Sequence, residues 1–147
     1  MQLEETDKRI LAELQKNSRQ SYREIAKGIK SSPATVMNHV RELEKKGIIK
    51  GYTTQIDYDS LDIDVHALIE VRVQKGQLFE VEKKIAHHPY VYAVYDTTGH
   101  FDAVIIGRFP NRRLLDKFLK QVQTYPFVER TETRLILNTI KESNIEL

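Results

Sequence analysis

Ser21-Tyr22-Arg23-Glu24-Ile25-Ala26-Lys27-Gly28-Ile29-Lys30-Ser31-Ser32-Pro33-Ala34-Thr35-Val36-Met37-Asn38-His39-Val40 sets the first part of the fold. Ser21 followed three residues later by Glu24 is a capping box. Ile25, Ala26 and Ile29 then give a short helix one apolar side. Ser32-Pro33 starts a second helix, with serine at the N-cap and proline at the first helical position. Val36, Met37, Val40 and Leu43 make its stripe, and Gly47 is placed to end it. A short helix, a turn of about three residues and a longer helix form a helix-turn-helix arrangement. A plain three-helix bundle would show the same topology.

Upstream, Leu3, Ile10, Leu11 and Leu14 fall at helical spacing, with Thr6 or Asp7 placed to cap the start. Downstream the character changes. Tyr52 to Ile56 is β-prone and residues 57–62 are turn-rich, which reads as a linker carrying one strand. The expected division is 1–62 for the helical domain with its linker strand and 63–147 for a second domain.

The second part alternates. Strands are expected at 65–73, 91–97, 103–109 and 128–140, and helices at 78–87 and 111–125. The order βαββαβ is the ferredoxin-like motif, a sheet covered on one face by two helices. The whole is therefore α+β. The other face must meet water or another chain, and strands 65–73 and 103–109 are apolar enough to predict sheet-to-sheet dimerisation. One of Ile69 and Val71 is expected to face outward as a probe of that interface.

Composition narrows the function. The 147 residues are 40% hydrophobic and contain no cysteine, which removes disulfides, thiolate metal sites and cysteine nucleophiles. No apolar run approaches the ~20 residues of a membrane span. The opening Met1-Gln2-Leu3-Glu4-Glu5 does not read as a signal peptide, and the expected compartment is the cytoplasm. Residues 1–50 hold 11 Lys/Arg against 7 Asp/Glu, a net of +4, and residues 51–147 hold 12 against 14, a net of −2. That asymmetry points the first part toward a polyanion.

Two groups of residues could carry recognition. On the longer helix, removing the buried stripe leaves Ala34, Thr35, Asn38 and His39 outward, with Arg41 further round. Asn pairs with adenine, and Ala and Thr touch a thymine methyl. Ser31, Ser32 and the helix N-terminus suit a phosphate, and Lys45 and Lys46, with Lys27, Lys30 and Lys50, suit the DNA backbone. The second group is the loop Asp96-Thr97-Thr98-Gly99-His100-Phe101-Asp102. Its backbone amides could hold a carboxylate and Asp102 an ammonium, although an ordinary turn would look the same. His87, His88 and His100 lack metal-ligand spacing, and no catalytic motif is present, so neither a metal, a cofactor nor an enzyme is expected.

These residues resemble the Lrp/AsnC family of transcription regulators over nearly the whole chain. Leu3 to Arg19 is similar to its first helix, and Ser32-Pro33-Ala34-Thr35-Val36 to the start of its recognition helix. Leu43 to Tyr52 resembles its exit, Thr98-Gly99-His100-Phe101-Asp102 its T-G-x-[YF]-D loop, and Val128 to Thr133 its last strand. The resemblance implies a winged-type helix-turn-helix domain and an αβ-sandwich effector domain. It implies dimers that assemble further, often to octamers, with an amino acid bound between dimers. Here that site would be Gly99, His100, Phe101 and Asp102, with Thr131 and Thr133 opposite. Asn38, His39 and Glu42 stand where the family commonly has arginine, and Lys30 where it often has glycine. The function so implied is a sequence-specific DNA-binding regulator that answers to an amino acid. A stand-alone amino-acid-binding module acting on a protein partner is the alternative.

Overall fold

The computed structural model describes residues 3–146. They fall into two compact units, Met1–Gln55 with Lys141–Leu147, and Ile56–Ile140.

The helical unit holds α1 (Glu5–Lys16), α2 (Tyr22–Ile29) and α3 (Pro33–Lys45). The caps explain the boundaries. The Ser21 hydroxyl accepts from the Glu24 N–H while the Glu24 carboxylate accepts from the Ser21 N–H at 2.6 Å. These bonds hold the Glu24 carboxyl below its usual range. Ser32 Oγ accepts from the Thr35 N–H at 3.0 Å, with Pro33 in the first turn. At the start of α1 the cap is Glu4, not Thr6 or Asp7, and Asp7 closes a capping box with it. Ile10, Ile25, Ala26, Ile29, Val36 and Val40 form the core. Lys30 ends α2 in the left-handed region at φ 57°, ψ 51°, a position that favours glycine.

Residues 52–56 carry no strand among the described residues, contrary to their composition. β-propensity expresses packing on a neighbouring strand, and within this unit there is none. The unit also ends earlier than composition suggests. The turn at 57–62 belongs with the sheet, because Arg108 Nη1 donates to Asp59 Oδ1 at 3.2 Å and its guanidinium lies over the Tyr58 ring. Residues 141–146 group with the helices instead of the sheet, and Gln15 Nε2 donates to the Ile145 carbonyl.

The second unit contains β1 (Val65–Val73), α4 (Leu78–Lys84), β2 (Val91–Asp96), β3 (Ala103–Phe109), α5 (Arg112–Gln123) and β4 (Val128–Leu135). The sheet is antiparallel, in the order β2-β3-β1-β4. Period-two alternation decides its two faces. Ala67, Ile69, Val71, Ala103, Ile105 and Phe109 point to the helices and are fully buried with Val81, Ile85, Phe118 and Val122. Ile69 and Val71 are two apart, so they share a face; neither points outward as expected. The outward series on β1 is Leu68, Glu70 and Arg72. Gly107 lies on the covered face, where an added Cβ would stand 2.7 Å from the Tyr90 carbonyl and 2.9 Å from the Phe109 ring. β4 stops at Leu135, short of 140, because its partner β1 begins at Val65; the Ile136 N–H to the His66 carbonyl is the last rung of that pairing.

Candidate DNA and effector sites

On α3, Val36, Val40 and Leu43 are buried, which fixes the rotation of the helix. Ser32, Ala34, Asn38, Arg41, Lys45 and Lys46 are exposed, and Thr35 is half-buried. Ala34, Asn38, Arg41 and Lys45 recur at spacings of three and four and share the outward side. Thr35 and Ser32 hydroxyls lie 2.8 Å apart. His39 is placed differently. Its Nδ1 stands 2.7 Å from Asp7 Oδ1 on α1, and the ring is 25% exposed. Sequence reasoning named Asp7 only as a helix cap and missed this pairing across 32 residues. At the exit, the Tyr52 hydroxyl donates to Glu44 Oε1 at 3.0 Å; partial burial and that carboxylate push it up to about 12.

The loop between β2 and β3 is closed by the Thr97 N–H to the Asp102 carbonyl at 3.0 Å, with Thr97 Oγ1 donating to the Phe101 carbonyl. Gly99 sits at φ 117°, which side chains rarely adopt. Gly99 and His100 are exposed. Phe101 is half-buried, with the Arg130 guanidinium 5.9 Å above its ring. Asp102 is held at the end of β1. Its N–H donates to the Val71 carbonyl, and its Oδ2 accepts from the Val73 N–H at 2.8 Å, where the β1–β4 register shifts. One carboxylate oxygen therefore supports the strand.

Thr131 pairs with Val71, and Thr133 pairs with Ile69. Both are half-buried, and Thr131 Oγ1 accepts from Gln123 Nε2 at 3.2 Å. The loop and Thr131 thus flank the same end of β1 from opposite sides. Arg130 and Gln123 are additions that only the tertiary fold reveals. A cavity of about 310 Å³ lies elsewhere, among Asp59, Asp64, His66, Arg108 and residues 136–139, and the expected effector residues do not line it. Residues 98–100 are exposed.

A capped helix-turn-helix with a polar outward face, in one chain with an antiparallel α+β unit of this topology, defines a DNA-binding regulator with a ligand-binding domain. Residues 3–50 match the winged helix-turn-helix DNA-binding model, and residues 66–145 match the Lrp/AsnC ligand binding domain. The chain belongs to the Lrp/AsnC family of transcription regulators and is not an enzyme. It is 38% identical to an uncharacterised HTH-type transcriptional regulator of Pyrococcus abyssi, covering 95% of each chain. It is 36% identical to the HTH-type transcriptional regulator FL11 of Pyrococcus horikoshii, over 96% of this chain and 93% of that one. Among solved structures, AsnC of E. coli matches with a TM-score of 0.91 at 26% identity over 100% of both chains. A transcriptional regulator of Neisseria meningitidis, solved as its L-Met complex, shares the fold with a TM-score of 0.92 at 23% identity, over 99% of this chain and 96% of that one. No helix among the described residues is long and apolar enough to cross a membrane.

Proposed function

We propose that this regulator reads double-stranded operator DNA with the outward side of α3 and answers to an amino acid or related small molecule at the 99–102 loop. Asn38 and Ala34 are assigned to base edges, Thr35 and Ser32 to the N-terminal turn against a phosphate, and Arg41, Lys45 and Lys46 to the DNA backbone. The observation that carries this is the rotation of α3: the buried Val36, Val40 and Leu43 leave Ala34, Asn38 and Arg41 to the outside.

The open sheet face is assigned to a second copy. Leu68, Val104 and Ile106 are half-buried there, and Tyr92 and Tyr95 are more than half exposed. Such a dimer would place two recognition helices about one DNA turn apart. Dimers would assemble further, octamers being the expected end point, and a neighbouring copy would close the loop that a single chain leaves open. In that site the Gly99 and His100 amides would hold a carboxylate. Asp102 would meet an ammonium through Oδ1, since Oδ2 is committed to Val73. Thr131 and Thr133 would line the opposite side, and His100 would face the ligand's side chain. The Neisseria regulator that shares this fold was solved with L-Met, which supports an amino acid as the effector class. The cytoplasm, where bacterial and archaeal DNA lies, is the proposed compartment.

Calorimetry of the full chain against the twenty amino acids tests the effector. At least one is expected to bind, and His100→Ala to change the ranking. Absence of binding by every member would leave a ligand-independent regulator.

A further inference from the structure

The Asp7–His39 pair links the recognition helix to the first turn of α1, and its hydrogen-bond polarity is set by the backbone. Asp7 Oδ2 accepts from the Glu4 N–H at 3.1 Å, and Asp7 Oδ1 lies 2.7 Å from His39 Nδ1. An ionised carboxylate has only acceptor sites, so Nδ1 must carry the proton. When the ring is neutral, Nε2 offers a lone pair. With Glu4, the pair sets two carboxylate oxygens and a ring nitrogen, one from each residue, within 4.8 Å of one another, as a metal site would. Glu4 and Asp7, however, already cap the α1 N-terminus, whose partial positive charge opposes a cation, so the trio works as a hydrogen-bond relay.

An acceptor at Nε2 restricts its partner. Phosphate and sugar-ring oxygens of DNA only accept. The base donors in the major groove are the N6 amine of adenine and the N4 amine of cytosine. We infer that Asp7 is a positioning residue for base reading: by fixing the Nδ1–H form of His39 it makes Nε2 an acceptor for an adenine or cytosine amino group on the contacted strand. The inference rests on α3 entering the major groove, as proposed above.

Asp7→Asn inverts the relay without removing it. The Glu4 N–H still needs an acceptor, so the amide oxygen stays toward Glu4 and the amide NH₂ turns to His39. Nδ1 must then accept, and Nε2 becomes the donor. The preference at one base pair per half-site should shift from adenine or cytosine toward guanine or thymine, which present only acceptors there (O6 and N7, and O4), while adenine keeps N7 as its one acceptor and cytosine has none. A single hydrogen bond of this kind gives a preference of about fivefold to tenfold.

The test selects duplexes from a random pool with the full-length wild type and with Asp7→Asn, and reads the His39 tautomer from ¹⁵N chemical shifts. The expected result is an Nδ1–H ring in the wild type, an Nε2–H ring in the variant, and a switched preference at one position. A tautomer that inverts with no change in the selected base overturns the inference, as does a tautomer that does not invert. Should Asp7→Asn fail to fold, His39→Asn is the second probe. Its side-chain amide keeps the bond to Asp7 and leaves nothing at the Nε2 position, so the preference there should vanish, and its persistence would overturn the inference. A wild type that enriches no sequence overturns the DNA-reading assignment, and this inference with it.

Discussion

The two units solve the same problem with opposite surfaces. In each, amphipathic elements bury one side: Ile10, Ile25 and Val40 in the helices, and Ile69, Val71 and Ile105 in the sheet. What they leave uncovered differs. The open side of α3 carries Asn38, Arg41 and Lys45, all polar and solvated. The open side of the sheet carries Leu68, Val104 and Ile106, with Glu70 and Arg134 paired at 2.9 Å among them. A polar face with a helix N-terminus suits a polyanion. An apolar face with internal ion pairs suits a surface like itself. On the function proposed above, the units divide the work, one meeting DNA and the other a second copy of the chain.

The strongest way to break this contrast is to put a charge on each side of the sheet. Ile69→Asp buries an unpaired carboxylate beneath the helices and should cost more than about 4 kcal/mol, unfolding the unit in a urea titration. Leu68→Asp or Ile106→Asp should leave the fold intact and yield monomers by light scattering. If both outward variants remain dimeric at micromolar concentration, the open face is not the interface.

Asp102 separates support from recognition less drastically. Asp102→Ala strips the Val73 N–H of its acceptor and should destabilise the sheet unit by about 1–3 kcal/mol, besides any loss of ligand response. A urea midpoint equal to that of the wild type would mean that this bond contributes nothing. In the helical unit, Lys30→Gly relieves a left-handed residue and should stabilise the protein by about 1 kcal/mol, read as a raised Tm. A lowered Tm would show that the Lys30 side chain contributes more than its backbone costs.

The smallest effect concerns pH and falls on the sheet unit alone. The His88 ring packs against Phe118 at 4.6 Å, and its Nδ1 accepts from the Tyr90 N–H. Burial holds its pKa below the ordinary 6.5. The unfolded chain thus takes up the proton first, so this contribution is complete above about pH 6.5 and declines as pH falls below it. His88→Gln should flatten the slope of urea midpoint against pH between 7.5 and 5.5, on the order of one unit either side of that value. An unchanged slope would assign it to other groups.

Much of this was legible in the chain, and the exceptions have physical reasons. Ser21, Glu24, Ser32 and Pro33 act within one turn, so α2 and α3 could be read directly. The sheet's alternation gave its strands because one face is buried. Cross-strand and cross-helix relations were not legible. The pairing of Asp7 with His39, the stacking of Arg130 on Phe101 and the bond from Val73 to Asp102 join residues far apart in sequence. Residues 52–56 misled because β-propensity does not supply a partner strand. The structural share of Asp102 was not legible, because the amide that its Oδ2 accepts from, Val73, lies on a strand 29 residues away.

Base reading by α3 is the claim on which the division of labour stands, and Asn38 tests it most directly. The measurement is the affinity of wild type and Asn38→Ala for a duplex selected by the wild type and for a scrambled duplex of the same length. The account predicts a loss of about 1–3 kcal/mol on the selected duplex and none on the scrambled one. An equal loss on both would contradict it.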